Sequence, residues 1–137
     1  MACWLVKSEP ETYSWDQFIR DKRSVWDGVR NYAARLNLLA MRKGDLILFY
    51  HSNTGKEIVG VATLSKEAYP EPGLTEGNWV CVELKPKKTL TSPVTLAQIK
   101  ANRSLASLEL VRISRLSVSK VSEIEFNEIL RLGNTTL

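Results

Sequence analysis

The stretch DLILFYHSNTGKEIVGVATLS, residues 45–65, reads as two strands, 45–51 and 57–65, joined by the turn-rich SNTGK. Both strands are apolar on both faces, as the central strands of a covered sheet are. Working outward, NWVCVELK (78–85) supplies a third strand and CWLVKS (3–8) a first, which SEPE stops because Pro10 cannot donate to a ladder. Ser14-Trp15-Asp16-Gln17 has the S-x-x-Q form of a capping box and predicts a short helix packing Phe18 and Ile19. A second helix is expected from Val29, with Val29, Ala33, Leu36 and Ala40 as its apolar stripe and Gly44 as its end. Thr95 to Gln98 and Ser122 to Glu125 open two more, the last closed by Gly133. SLELVRISRLSVS (107–119) predicts one or two further strands, and YPEPGLTEGN (69–78) a long loop. The whole is expected to be one α+β domain over 1–137, built on a small curled or closed mixed sheet with short helices around it.

At 137 residues, 44% hydrophobic and 25% charged, the chain has the composition of a folded domain with a real core. Its formal charge of +4 favours an anionic partner, and the distribution sharpens this. From Lys85 to Lys120, eight basic residues face the single acid Glu109. Such a segment is either a phosphate-binding face or a solvated charged surface. Cys3 and Cys81 sit in apolar alternating stretches without metal-ligand or CxxC spacing, so both read as buried free thiols. MACWLVKSEPE carries no leader pattern, and no run approaches the roughly 20 apolar residues of a membrane span. A cytosolic or nuclear monomer that uses no metal or cofactor is expected.

Motifs for catalysis are absent. The one histidine, His51, ends an apolar strand without a Gly-x-Ser-x-Gly, a Walker loop or a second ligand nearby, so a structural or binding hydrogen bond suits it better than general-base work. Trp4 and Trp15 lie in amphipathic stretches and belong to the core. Trp26 differs, since it precedes the turn signal Asp27-Gly28 and has Arg30, Asn31 and Arg35 close behind. It either caps the core or stacks on a flat ring whose edge its neighbours read.

CWLVKSEPETYSW (3–15), SVWDGVRNYAARLNLLAMRKGDLILFYHS (24–52), IVGVATLSKEAYPEP (58–72), WVCVELK (79–85) and LELVRISRLSVSKVSEIEF (108–126) together resemble the EVE domain family over nearly the whole chain. The resemblance implies a PUA-like fold, a small curved β-barrel ringed by helices and related to the YTH readers of methylated adenine. It also implies a non-catalytic binder of modified bases in DNA or RNA. By position, Lys7 and Ser8 match the lysine-serine pair that ends the first strand in the related readers, and Trp26 matches the tryptophan wall of their aromatic cage.

On that reading a base is flipped from its stack against Trp26, and Asn31 and Ser8 offer donors and acceptors to its edge. Tyr32, Phe49, Tyr50 and Trp79 are the alternatives for a second wall, with His51 and Ser52 at the mouth. Lys7, Arg30, Arg35, Arg103, Arg112 and Arg115 are the candidate phosphate contacts. Arg112 and Arg115, three apart, would point to opposite faces of a regular strand, and Arg115 is the choice because its surroundings match the family pattern better. Glu71 argues against a phosphate contact by the YPEPGL loop. The rival is a pocket for a free nucleotide or similar metabolite, with hydrolysis through His51 or Asp27, credible by fold analogy alone.

Overall fold

In the computed structural model, which describes residues 2–73 and 77–137, six strands form one mixed sheet. They are β1 (Cys3–Ser8), β2 (Ser24–Trp26), β3 (Leu46–His51), β4 (Glu57–Pro70), β5 (Val80–Thr95) and β6 (Val118–Val121). The helices are α1 (Trp15–Asp21), α2 (Tyr32–Ala40), α3 (Leu96–Ala101), α4 (Glu109–Arg112) and α5 (Glu123–Leu132), with a 3-10 turn at Arg103–Leu105. The strand order is β2-β5-β4-β3-β1-β6. Among the described residues β1 and β3 run parallel and the other pairings are antiparallel.

Both faces of the sheet are covered, which is why β3 and the first half of β4 read as apolar throughout. Along β1, Trp4 and Val6 enter a core shared with α1 and α2, while Cys3 and Leu5 enter a second core beneath α3 and α5. Cys3 and Cys81 are both free and buried, and burial raises both thiols. No helix among the described residues is long and apolar enough to cross a membrane.

Several expectations change. The barrel does not close, since β2 and β6 stand at the two ends of the order and no ladder joins them among the described residues. The sheet curls all the same, because β4 and β5 pair through repeated register shifts, and bulges bend and twist a ribbon. Helix α2 starts at Tyr32, capped by Asn31, whose Oδ1 accepts from the Ala34 N–H at 3.0 Å. This later start turns the helix, so Ala34, Asn37, Leu38 and the following Met41 face inward, and Leu36 of the expected stripe is 61% exposed. Val29 is buried too, but ahead of the helix.

Of the one or two strands expected in 107–119, the segment holds only the start of one, β6. It forms α4 and a turn closed by Leu116 N–H to Ile113 O at 3.1 Å before β6 begins, so neither Arg112 nor Arg115 stands on a strand. Strand β5 runs ten residues past its expected end, with Pro86 beside a bulge, where a missing N–H is tolerated. Tyr69 and Pro70 belong to β4 rather than to a loop, and positions 74–76 of the expected loop lie outside the described residues. Ser14 caps α1, accepting from the Gln17 N–H, but the expected capping box is not completed, because the Gln17 side chain bonds Asp21 and Arg20 instead; Phe18 is buried while Ile19 is exposed.

Candidate functional site

The curl brings the two ends of the sheet together without lacing them. Ser24–Trp26 of β2, Lys7 and Ser8 at the end of β1, and Ser117 just ahead of β6 line one cavity of about 530 Å³, within the roughly 300–1,000 Å³ range of small-molecule pockets. The expected barrel is open along this seam, and the seam is the cavity.

Trp26 is half-buried where β2 ends, paired across to Val82 of β5. The turn after it needs a left-handed residue, which Gly28 supplies at φ 74°. Its ring meets Phe49 at 5.6 Å and 78° and Tyr13 at 6.2 Å and 67°, both edge-to-face contacts. The indole is therefore neither sealed in the core nor loose on the surface.

Lys7 donates from Nζ to Ser114 O at 2.6 Å, and burial lowers its pKa. Ser8 Oγ donates to Tyr13 O. Glu9, Thr12, Asp27 and Arg30 complete a polar rim around the aromatic wall. A cationic donor, a hydroxyl and a fixed indole can hold a flat, polar-edged ring. Among the described residues no group of three or more His, Cys, Asp or Glu side chains could hold a metal ion.

Arg30 is already engaged. Its guanidinium meets the Glu71 carboxylate twice at 2.9 Å, and Glu71 also accepts from the Gly28 N–H at 3.4 Å. One carboxylate thus straps the turn after Trp26 to the segment following β4. The Arg30 hydrogen bond, and after it the Gly28 N–H and the Arg30 charge, hold Glu71 below the usual carboxyl range. A depressed carboxyl contributes stability above its unfolded pKa and loses that contribution as pH falls through the folded value. Wild type should therefore melt above Glu71→Gln near neutral pH, the gap closing in acid. A gap in melting temperature that persists unchanged at low pH would show that this carboxylate is not the cause.

The other predicted residues fall elsewhere. Phe49 is fully buried behind Trp26, and Tyr50 points into the second core across the sheet, so neither forms a wall of this cavity. Tyr32 and Trp79 stack on each other, 5.3 Å apart at 29°, outside it. Asn31 is spent on capping α2, which leaves its amide nitrogen as donor. His51 accepts from the Trp15 N–H through Nε2 at 3.0 Å, and burial lowers its pKa, so its lone pair anchors α1. Ser52 bonds through its backbone N–H to Ser8 O at 2.9 Å. Arg35 donates to Asn78 O. Arg115 is exposed in the turn between Ser114 and Ser117, beside the cavity but not lining it. Arg103 sits in the 3-10 turn whose Leu105 enters the second core, on the other side of the sheet.

Sequence reasoning missed Thr12, Tyr13, Ser24, Val25, Val29 and Ser117 as lining residues. Ser24 and Val25 adjoin Trp26 on a three-residue strand and were within reach of inspection. Tyr13 comes with the turn after β1, its N–H bonded to Glu9 O, and Ser117 lies beside Lys7, whose N–H donates to its carbonyl, a neighbour distant in sequence that no local pattern announces.

The EVE domain family model matches residues 2–132. Human thymocyte nuclear protein 1 is 31% identical over 163 aligned positions, which cover 94% of this chain and 72% of that protein. An NMR structure of a Rhodopseudomonas palustris protein shares 48% identity and superposes with a TM-score of 0.93, covering 98% of this chain and 94% of that one. The crystal structure of human THYN1 in complex with 5-methylcytosine containing DNA is similar over 100% of both chains, with 29% identity and a TM-score of 0.91.

Proposed function

Because this chain belongs to the EVE domain family, we propose that it binds DNA carrying a modified base and seats that base in the cavity beside Trp26. The observation that carries this reading is the half-buried indole opening onto a cavity of about 530 Å³ at the seam of the sheet. The human relative in complex with 5-methylcytosine containing DNA supports the class of ligand.

A base inside a duplex hides both of its faces, so it enters such a cavity only after flipping out of the stack. Trp26 then replaces part of the lost stacking, and Lys7 and Ser8 answer the polar edge. A serine hydroxyl serves as donor or acceptor, while the ammonium donates alone, which favours a carbonyl or ring nitrogen at that edge. Arg115 and Arg35, both near the cavity or its neighbouring surface, are the candidate phosphate contacts. Arg30 contacts phosphate only if Glu71 releases it.

Binding rather than turnover is supported by His51, whose Nε2 lone pair is taken by the Trp15 N–H and whose side chain does not line the cavity. RNA and free nucleotides remain arms of the test. Titration of methylated, hydroxymethylated and plain DNA and RNA oligonucleotides at one stated salt concentration should show preference for modified DNA. Trp26→Ala should weaken that binding about 5- to 150-fold, as loss of one base-stacking contact does. Equal, weak binding of every oligonucleotide by both proteins would sink the proposal. Thermal stabilisation by free nucleotides but not by oligonucleotides would favour the metabolite pocket instead.

A further inference from the structure

The geometry points to a second stacking platform on the outer face of Tyr32, taking the nucleobase next to the one in the cavity on the same strand; this rests on the reading of the cavity given above. Tyr32 is 73% exposed at the first position of α2, yet its ring is not free to wander. It stacks on Trp79 at 5.3 Å and 29°. Trp79 is itself held, with the Arg30 guanidinium 5.3 Å from its ring centroid. Gly77 lies so close beneath it that a Cβ there would come within 2.9 Å of indole Cδ1 and Nε1. Arg35, one turn along α2 from Tyr32, donates to Asn78 O and ties the helix to the same segment. An aromatic face fixed in this way loses little further freedom when a base stacks on it.

Two observations choose a nucleobase as the occupant. Arg30 lines the cavity while its guanidinium lies over Trp79, so a chain of contacts, Arg30 to Trp79 to Tyr32, leads from the cavity rim to the platform. Of the side chains flanking the platform, Arg30 is neutralised by Glu71, while Arg35 is a cation with no carboxylate within salt-bridge distance among the described residues, which suits a phosphate-linked strand. Leu36 and Leu39 extend the exposed face along α2 at 61% and 39% exposure, and a protein partner or second copy would have to cover them.

The test uses DNA with one modified base and, in a parallel duplex, an abasic site at the neighbouring position. Tyr32→Ala should weaken binding of the intact DNA about 5- to 150-fold, Tyr32→Phe should bind as wild type does, and the abasic duplex should bind wild type and Tyr32→Ala alike. If Trp26→Ala weakens binding while Tyr32→Ala does not, the platform is wrong and the cavity reading stands. If neither substitution matters, the cavity reading fails and the platform with it. Wild type sedimenting as a dimer that Leu36→Glu splits would give this face to a second copy and overturn the platform.

Discussion

Phe49→Ala is expected to lower the unfolding free energy by about 3–5 kcal/mol, the usual cost of emptying a fully buried phenylalanine site. Phe49 has no exposed surface and lies at the centre of an aromatic cluster. It stacks on Phe18 at 5.5 Å and 16°, and meets the edges or faces of Trp15 at 5.2 Å, Trp26 at 5.6 Å and His51 at 5.7 Å. Removing the ring leaves a void that four other rings border, and rigid rings collapse poorly into a void. Trp26 also loses its support from behind, so the proposed DNA binding should weaken even at temperatures where the variant stays folded. Phe49→Leu keeps most of the volume and should cost clearly less in both respects. Urea unfolding followed by tryptophan fluorescence reads the first effect and oligonucleotide titration the second. A loss below about 1 kcal/mol for Phe49→Ala would mean that the cluster repacks freely.

Gly60→Ala adds a single methyl group and should nevertheless be severe. A Cβ at Gly60 would stand 2.2 Å from Trp15 Cζ2, 2.4 Å from Cε2 and 2.5 Å from Cη2. The indole cannot swing aside cheaply, because Trp15 is only 3% exposed and is fastened at two points. Its Nε1 donates to Thr89 Oγ1 at 2.9 Å and its backbone N–H to His51 Nε2 at 3.0 Å. Overpacking of this kind costs roughly 1–3 kcal/mol and at times more, and the depth of the overlap places Gly60→Ala at the upper end. Near-ultraviolet circular dichroism should change with it, since Trp15 must move. An alanine variant with unchanged midpoint and spectrum would show that the ring has room after all.

The sequence is most legible where the physics is local. Ser14, Thr95 and Ser122 cap helices as their spacing requires, because a hydroxyl reaching a backbone N–H three residues on needs nothing from the rest of the fold. The strands around residues 46–51 and 57–65 announce themselves because both their faces are buried. Helix α2 is less legible, since the Asn31 cap sets its start and so its phase, and the alanines and leucines of YAARLNLLA fit either phase. The second half of β5 hides behind prolines and lysines that sit on exposed or bulged positions. Of the candidate site, Lys7, Ser8, Trp26 and Arg30 were within reach of a sequence reading and do line the cavity. Phe49 and Tyr50 were not separable from wall residues, because an apolar strand with both faces covered does not say which side chain meets a void. The engagement of Arg30 by Glu71 was also out of reach, since 41 positions separate them.

The seam between the edge strands has a mechanical corollary. Where two strands are laced, widening the gap between them breaks main-chain bonds in register, and the fold resists. Here no ladder joins β2 to β6 among the described residues, and β2 meets the other side through side chains, as where Trp26 rests edge-on against Tyr13 of the segment after β1. Widening the mouth would therefore cost side-chain contacts and no ladder, so guests differing by a methyl or hydroxymethyl substituent, if seated there as proposed, would be taken at the expense of a few pliable contacts rather than of the architecture.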